Sequence, residues 1–472
     1  MTANESTAGF RDEPASFRDP ASSVFYSNGR VLRGLSERGA ADWARLADSQ
    51  FFPRLVAERK AVTTTVVEPG SLAGDEPWAR YEVVLEHERI PFVSYPYEWT
   101  FEMLRDAAAL HLEILLAALD GGMTMKDGYA FNVQWRGSAP MFIDIGSFEP
   151  GGGPWVGYRQ FCQTFLYPLL LEAHLGVPFQ RFLLGHLDGI EPGDMRRLFG
   201  GRRRFKKGVF RNVYLHSVIQ DRVTRSTQSV QQDLKKAGFS TELTKATAKK
   251  LLKLVRSLRS KRSGSNWAEY RDTCSYSDAE REVKARFVLD AAKARQPALV
   301  WDLGCNDGAF ARLAAEHAGY VVAVDADDVV VDRLYRSLRD DGPTNVLPLV
   351  MNLVDPSPGR GWRNRERRPF TDRGAPDLIL GLALVHHLAI AANVPLAEVV
   401  AWLRSFDCAV VVEFVAPEDP MAERLLANKP PGLHDDYRPD TFERLLEDAF
   451  IVERREDLPG RTRTLYLATP RT

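Results

Sequence analysis

The sequence predicts an α/β fold for its C-terminal half. Five apolar, strand-like segments alternate there with helical segments, and these strands read ALVWDLG, YVVAVDA, NVLPLVMNL, PDLILGLAL and CAVVVEFV. Apolar strands that alternate with helices are typical of a parallel sheet covered on both faces. A run of glycines and small polar residues, Gly304 to Gly308, directly follows the first strand. Such a turn predicts a ligand site beyond the carboxyl ends of the strands.

Length and composition limit the class of protein. A chain of 472 residues is too long for one ordinary core, so we expect two or more domains. The hydrophobic content of 44% and charged content of 26% are those of a soluble globular protein. The net charge of -1 gives no general attraction to nucleic acid or membranes. The most apolar stretch, FLYPLLL, is too short to span a bilayer.

The cysteines and the N-terminus indicate a cytoplasmic protein. The four cysteines are scattered and include no C-x-x-C pair, so neither a disulfide framework nor a structural zinc site is expected. We therefore predict no metal, and a reducing compartment suits such cysteines. Residues 1–23 are polar and contain no apolar run, which excludes a signal peptide and predicts a disordered arm.

The chain divides into an N-terminal domain at 24–195, a basic connector at 196–262 and a C-terminal domain at 263–472. The first domain has mixed α and β character, which predicts an α+β domain. It holds a strand in RYEVVLEHERI, a helix in FEMLRDAAALHLEILLAAL, a hairpin around Arg136–Pro140 and a helical block in YRQFCQTFLYPLLLEAHL. The segment SKRSGSN predicts a linker before the C-terminal domain.

The connector is dense in Lys and Arg. Its segment LTKATAKKLLKLVRSLRSKR predicts a helix with one apolar stripe, formed by Leu243, Ala246, Leu251, Leu254, Val255 and Leu258. The charged face of such a helix is usually only solvated. The alternative is a surface that grips the phosphates of RNA or an anionic glycan.

Polar residues at the ends of four strands point to a nucleotide-like ligand. The first turn reads D-L-G-C-N-D-G, which is not the G-x-G-x-x-G of dinucleotide enzymes. Asp325 ends the second strand, 23 positions after Asp302, and a carboxylate there can accept both hydroxyls of a ribose. Asn352 follows the third strand, where an adenine edge could be read. The fourth strand ends in a run of small residues and two histidines.

Together these features resemble the class I S-adenosyl-L-methionine-dependent methyltransferases over about residues 267–472. The resemblance implies a Rossmann-like sheet of seven strands, whose final antiparallel hairpin would be FIVERRE and RTLYLAT. It also implies that S-adenosyl-L-methionine is the cofactor. The residues it places at the cofactor are Asp302, Gly304, Asn306, Gly308, Asp325, Asn352 and Leu382, with Asn306 standing for the middle glycine of the family's loop. The alternative is an α/β domain whose glycine turn binds nothing.

Methyl transfer asks the protein mainly to bind and align, but a hydroxyl acceptor also needs a base. In the resemblance, His386 and His387 face the cofactor cleft and are candidates for that base. Glu413, at the end of the fifth strand, is a second candidate. The alternative is that a histidine caps a helix or packs beneath the cofactor. The aromatic residues Trp267, Tyr270 and Tyr276 could form a lid, or they could belong to the core.

The N-terminal domain carries a second motif. Asp127 and Asn132 have the D-x-x-x-x-N spacing of a kinase catalytic loop, and Asp144 lies 12 residues after Asn132 in FIDIGSF. Residues 24–190 therefore resemble a protein kinase or an aminoglycoside phosphotransferase. In a working kinase, Asp127 would orient the acceptor hydroxyl, and Asn132 and Asp144 would hold magnesium.

This domain departs from a kinase in three ways. Met125 and Lys126 stand where His-Arg would precede the aspartate, and no glycine-rich loop is visible upstream. The lysine that grips phosphates has no clear counterpart, although Arg33 and Lys60 are candidates. We therefore expect a degenerate kinase-like domain without a cationic side to its site, used for binding or support. An active kinase and an unrelated fold are the alternatives.

The two-part layout also resembles bacterial methyltransferases grouped with host-specific nodulation proteins, which are implicated in tailoring surface or signal glycans. The sequence thus predicts methyl transfer to an oxygen or nitrogen of a small molecule or glycan, with the kinase-like domain binding the acceptor or supporting the fold. The alternatives are a bifunctional kinase–methyltransferase, an RNA methyltransferase that uses the connector, and a scaffold that binds the cofactor without turnover. The acceptor atom and the oligomeric state stay open.

Overall fold

The computed structural model of the protein describes residues 10–68, 78–152, 154–215, 241–262 and 277–471. Its N-terminal part begins with a five-stranded antiparallel sheet in the order β1-β2-β3-β5-β4. These strands are β1 (Phe10–Asp12), β2 (Ser22–Ser27), β3 (Arg30–Leu35), β4 (Thr64–Val66) and β5 (Val83–His87). The strand expected in RYEVVLEHERI is β5.

Helices and two short two-stranded sheets complete the N-terminal part. The helices are α1 (Glu37–Ala47), α2 (Phe51–Ala57), α3 (Phe101–Asp120), α4 (Tyr158–Phe161), α5 (Tyr167–Leu175), α6 (Gln180–Gly185) and α7 (Pro192–Leu198). Strand β6 (Met123–Met125) pairs with β9 (Phe148–Pro150), and β7 (Val133–Arg136) pairs with β8 (Ala139–Phe142). The predicted long helix, hairpin and helical block therefore all form, with a π-helical turn at Cys162–Leu166 inside the block.

The prediction of a disordered arm is wrong for residues 10–23. Strand β1 pairs with the end of β2, and the Tyr26 hydroxyl donates a hydrogen bond of 2.9 Å to Glu13. Arg18 forms an ion pair of 2.6 Å with Glu366 of the C-terminal part. Composition indicated disorder because this segment has little apolar surface, but strand pairing and long-range ion pairs order it. Residues 1–9 lie outside the described residues.

The basic connector is part of the N-terminal fold. Its helix, α8 (Thr241–Ser257), packs against α3. Its buried residues recur three or four positions apart, which is the spacing of one helix face. They are Thr244, Ala248, Leu251, Leu254 and Val255, and Leu258 is buried directly after the helix. Leu243 lies off this face and is 45% exposed, so the predicted stripe is wrong at its start and right from Leu251 onward.

The C-terminal part is a seven-stranded sheet in the order β12-β11-β10-β13-β14-β16-β15. Its strands are β10 (Leu299–Leu303), β11 (Tyr320–Asp325), β12 (Val346–Val350), β13 (Leu378–Gly381), β14 (Ala409–Val415), β15 (Phe450–Asp457) and β16 (Arg463–Pro470). The first five are parallel, and β16 runs antiparallel to both β14 and β15. This is the sheet and final hairpin that the resemblance implies. Strand order reverses between β10 and β13, which places the switch point beside the glycine turn.

Within residues 277–471, six α-helices accompany this sheet. They are α9 (Asp278–Arg295), α10 (Ala309–Ala315), α11 (Asp328–Asp341), α12 (Leu396–Arg404), α13 (Pro420–Leu426) and α14 (Pro439–Ala449). Helix α9 begins with a capping box between Ser277 and Glu280, and α11 begins where the Asp327 side chain accepts two backbone N–H groups. No helix among the described residues is long and apolar enough to cross a membrane.

The two parts share one hydrophobic core. Gly137, at the tip of the β7–β8 hairpin, donates its N–H to the Tyr320 hydroxyl at 2.9 Å. Arg373 and Glu98 form an ion pair across the junction, with 2.7 Å between Nη1 and Oε2, and both side chains are almost fully buried. A buried pair of opposite charges is costly to break, so the N-terminal part is held firmly to the sheet.

Candidate functional site

A pocket of about 570 Å³ lies at the carboxyl ends of β10, β11, β12 and β13. Six of the seven residues predicted at the cofactor line it: Asp302, Gly304, Asn306, Asp325, Asn352 and Leu382. They meet because parallel strands end at the same edge of the sheet. Every described residue that lines this pocket belongs to positions 281–391.

The turn after β10 depends on left-handed backbone. Gly304, Asn306 and Gly308 have φ values of 80°, 50° and 75°, a region that Gly and Asn tolerate. Gly308 does not line the pocket in the described structure. It packs behind the turn, where an added Cβ would lie 2.5 Å from a methyl carbon of Leu334. Its role is therefore to let the turn pack, and the sequence could not reveal this partner.

Asp325 holds the turn and faces the pocket. Its carboxylate accepts hydrogen bonds of 3.0 Å from the backbone N–H groups of Asn306 and Asp327. Each carboxylate oxygen keeps further acceptor capacity for a ligand. Burial raises the pKa of Asp325. A ligand that donates hydrogen bonds to this carboxylate would therefore stabilise its ionised form.

Asp302 carries a buried hydrogen-bond acceptor in the wall of the pocket. The residue is 2% exposed, and its Oδ2 atom has no hydrogen-bond partner among the described residues. Burial, and then repulsion from Asp325, raises the pKa of Asp302 to about 7. An orphaned carboxylate oxygen that lines a pocket fits a ligand bearing a cationic group, as S-adenosyl-L-methionine does.

Lys284 is a pocket residue that the sequence analysis missed. It lies on α9, its Nζ is 2.7 Å from Glu413 Oε2, and its ammonium sits 5.0 Å from the centre of the Phe310 ring. Both Lys284 and Phe310 line the pocket. No motif marks Lys284. A lysine among apolar helix positions was the available signal, because such residues are rarely buried without a partner.

The two histidines lie in different places. His387 lines the pocket, whereas His386 is fully buried beside it and does not. Neither ring nitrogen of His386 has a hydrogen-bond partner among the described residues, and burial lowers its pKa well below the ordinary value. The structure therefore argues against His386 as a base. Burial, and then the charge of Arg463, lowers the pKa of His387 to about 4, so its imidazole is neutral at pH 7.

Glu413 was predicted as a second base, and the structure does not bring it to the pocket. Its side chain is fully buried, 2.7 Å from Lys284 and 3.5 Å from Arg463. Two cationic side chains contact its carboxyl group in the interior, which makes it a structural anchor. Glu413 does lie near the end of its strand, as predicted. Its carboxyl group pairs with Lys284 of α9 and does not face the pocket. The lid candidates Trp267, Tyr270 and Tyr276 lie outside the described residues.

A second cleft, of about 710 Å³, lies between the N-terminal part and the loop that joins β12 to β13. Asp127, Asn132 and Asp144 converge there: all three line it, and Asn132 Nδ2 donates to Asp144 Oδ2 at 3.2 Å. Burial, and then repulsion from Asp144, raises the pKa of Asp127 to about 6. Among the described residues, no group of three or more His, Cys, Asp and Glu side chains is arranged to hold a metal ion.

The expectation that this cleft lacks a cationic side is wrong. Arg33 lies 3.1 Å from Asp144, and Lys126, Arg367 and Arg368 also line the cleft. Arg367 and Arg368 belong to the loop between β12 and β13 of the C-terminal part. Because this loop is more than 200 positions from the aspartates in the sequence, the motif did not reveal them. Lys60 is not among the lining residues, since it pairs with Glu58 and Glu113.

Comparison with known proteins identifies one close relative in sequence, although no protein-family model matches. Nodulation protein NoeA of Rhizobium meliloti (strain 1021) is 34% identical over 463 residues, 96% of this chain and 94% of the relative. N-methyltransferase NodS from Bradyrhizobium japonicum WM9 is 11% identical and covers 41% of this chain and 98% of its own, with a TM-score of 0.31. A SAM-dependent methyltransferase from Aquifex aeolicus is 15% identical and covers 44% and 100%, with a TM-score of 0.30. Scores this low carry no conclusion about activity.

Proposed function

This chain belongs to the family of nodulation protein NoeA, and we propose that it is a methyltransferase that uses S-adenosyl-L-methionine. One observation carries the proposal: the buried carboxylate of Asp302 and the partly buried carboxylate of Asp325 face one pocket beside a left-handed turn at the switch point of a parallel sheet. When bound, the cofactor supplies a methyl group made electrophilic by its sulfonium.

Each pocket residue contacts a different part of the cofactor in this proposal. Asp325 accepts the two ribose hydroxyls, since its backbone partners leave further acceptor capacity. Asp302 receives the cationic end of the ligand with its free Oδ2 atom. Asn352 follows β12 and Leu382 follows β13, so they line the pocket on opposite sides of the β10 turn. Leu382 is buried and offers an apolar wall. The turn residue Gly304 keeps the backbone close to the ligand because it has no Cβ.

Alignment of the acceptor supplies most of the rate. Holding a nucleophile in line with the methyl carbon can contribute roughly 7–11 kcal/mol. His387 is the base for a hydroxyl acceptor, because it lines the pocket and is neutral at pH 7. Its lowered pKa makes it a weak base, which suits removal of a proton only as the new bond forms. An uncharged amine acceptor would need less help.

The acceptor is an oxygen or nitrogen of a small molecule or glycan, with nucleic acid the less favoured alternative. The N-terminal part contributes support in this proposal. The described lining of the cofactor pocket contains none of its residues, while the buried pair of Arg373 and Glu98 joins it to the sheet.

Phosphoryl transfer in the N-terminal cleft is a second candidate function. It is favoured by the convergence of Asp127, Asn132 and Asp144 beside Arg33, because phosphate chemistry needs both metal ligands and cations. Magnesium-dependent ATP binding, lost in Asp144→Asn and kept in the surface control Asp48→Asn, would establish it. If ATP does not bind and methyl transfer survives Asp144→Asn, the N-terminal part serves support only.

The test of the methyltransferase proposal is transfer of a labelled methyl group. Cell extract components incubated with the protein and methyl-labelled cofactor should yield a labelled product detected by mass spectrometry. At a cofactor concentration well below saturation, Asp325→Ala should yield roughly 10–100-fold less product. The surface variant Asp341→Asn should match wild type. Labelling that is equal with Asp325→Ala, or absent with wild type in extracts that contain acceptors for other methyltransferases, would contradict the proposal.

A further inference from the structure

An exposed aromatic ridge lies after α7, at residues 202–214. Phe205 is 66% exposed and Phe210 is 48% exposed, which is unusual for such large apolar side chains. Their rings and that of Tyr214 form a nearly parallel row, with centroids 6.3 Å apart at each step. We call this row, with the cations around it, the basic ridge.

The basic ridge has a strong local positive charge. Six cationic residues lie next to the aromatic residues in the sequence, and all six are exposed: Arg202, Arg203, Arg204, Lys206, Lys207 and Arg211. The sequence from 195 to 215 contains no Asp or Glu. None of the ion pairs formed within the described ranges involves these six residues. These six side chains are exposed and are therefore available to an external anion.

We propose that the basic ridge docks the protein onto an anionic membrane surface. Basic side chains are drawn to anionic headgroups, and exposed phenylalanines insert at the boundary between headgroups and acyl chains. The ridge combines both features within a few residues. The chain as a whole has a net charge of -1, so its overall charge gives no such attraction, and binding through the ridge would orient the protein on the membrane.

The ring arrangement favours a membrane over single-stranded RNA. Proteins that bind single strands stack bases on free aromatic faces. Arg204 already covers one face of Phe205, with its guanidinium carbon 4.7 Å from the ring centre. The remaining rings line up beside one another as one apolar ridge. An apolar ridge ringed by cations fits an interface of lipid and water.

Vesicle co-sedimentation of the full chain tests the proposal. The protein should bind vesicles made of equal parts phosphatidylglycerol and phosphatidylcholine, and should bind pure phosphatidylcholine about tenfold less or weaker. Phe205→Ser with Phe210→Ser, and separately a triple Gln replacement of Arg202, Arg203 and Arg204, should each lower binding about tenfold. Thermal unfolding and S-adenosylhomocysteine binding at wild-type level show that each variant is folded.

A matched control removes the same charge elsewhere. Lys249→Gln, Lys250→Gln and Lys253→Gln together change three exposed cations on α8, and they should leave vesicle binding unchanged. Equal loss in this control would overturn the proposal, because binding would then follow net charge alone. Absence of binding to anionic vesicles would also overturn it. A third result would overturn it as well: the protein binds polyuridine through the ridge in a salt-sensitive way and does not bind vesicles. That result would assign the ridge to nucleic acid.

Discussion

Replacing Asp302 with Asn should stabilise the protein while weakening cofactor binding. The carboxyl group has an ordinary pKa of 3.8, and burial, with repulsion from Asp325, raises it to about 7. Because the folded-state pKa is raised, ionisation costs stability above the unfolded value, and the full cost is reached once the pH exceeds 7. A pKa difference of this size corresponds to roughly 4 kcal/mol. At pH 8, Asp302→Asn should recover much of that free energy.

Cofactor binding should respond in the opposite direction. A cationic ligand favours the ionised form of Asp302, so wild-type binding should release up to one proton between pH 6 and pH 7 and weaken as the pH falls below 7. Asn cannot ionise, so the variant should release no proton from this position. Its affinity for S-adenosylhomocysteine should fall by roughly one to two orders of magnitude, as expected for loss of a hydrogen bond to a charged group.

Two assays check this pair of effects. Differential scanning fluorimetry at pH 8 should show a higher midpoint for Asp302→Asn than for wild type, and no gain for Asp341→Asn, which removes one exposed charge. Calorimetry in buffers of different ionisation enthalpy measures the released proton. A variant that is less stable at pH 8, or that binds S-adenosylhomocysteine like wild type, would refute the assignment of Asp302 to the ligand.

Three further substitutions test separate parts of the structure. Asp325→Ala should lower S-adenosylhomocysteine affinity roughly 10–100-fold, because two ribose hydroxyls lose a charged acceptor, and calorimetry measures this. His387→Ala should lower methyl transfer to a hydroxyl acceptor by roughly 10²–10⁴ at unchanged cofactor affinity; turnover within a few-fold of wild type would place the base elsewhere. Gly137→Ala should lower the unfolding midpoint, at a cost of about 1–3 kcal/mol in stability. The added Cβ would lie 2.1 Å from the Thr344 carbonyl oxygen, at a residue with positive φ. An unchanged midpoint would show that the hairpin tip does not hold the junction.

Local pattern predicted the C-terminal sheet well. Apolar strand runs, helical spacing and the glycine turn can each be recognised within a short window of sequence. Parallel pairing of the strands then brings Asp302 and Asp325 to the same edge of the sheet. The same logic placed Asp127, Asn132 and Asp144 together, because two loop ends flank one hairpin. These features needed no knowledge of distant partners.

Long-range partners account for the errors. Glu413 stands at a strand end as predicted, yet Lys284 and Arg463 fix it in the interior. Arg18, in a segment whose composition predicted disorder, is ordered by Glu366, which lies 348 positions away. The cationic side of the N-terminal cleft comes partly from the loop between β12 and β13. A single sequence contains both residues of such a pair, but it does not show that they come into contact in the folded protein.

Equilibrium binding of S-adenosylhomocysteine to the full chain at pH 8 tests the central claim most directly. Calorimetry should give one site per chain for wild type, with affinity reduced in both Asp302→Asn and Asp325→Ala and kept in Asp341→Asn. Wild-type protein that gives no binding heat and no shift of the unfolding midpoint at saturating ligand would contradict the account. Binding that is indifferent to both aspartates would equally place the cofactor outside this pocket.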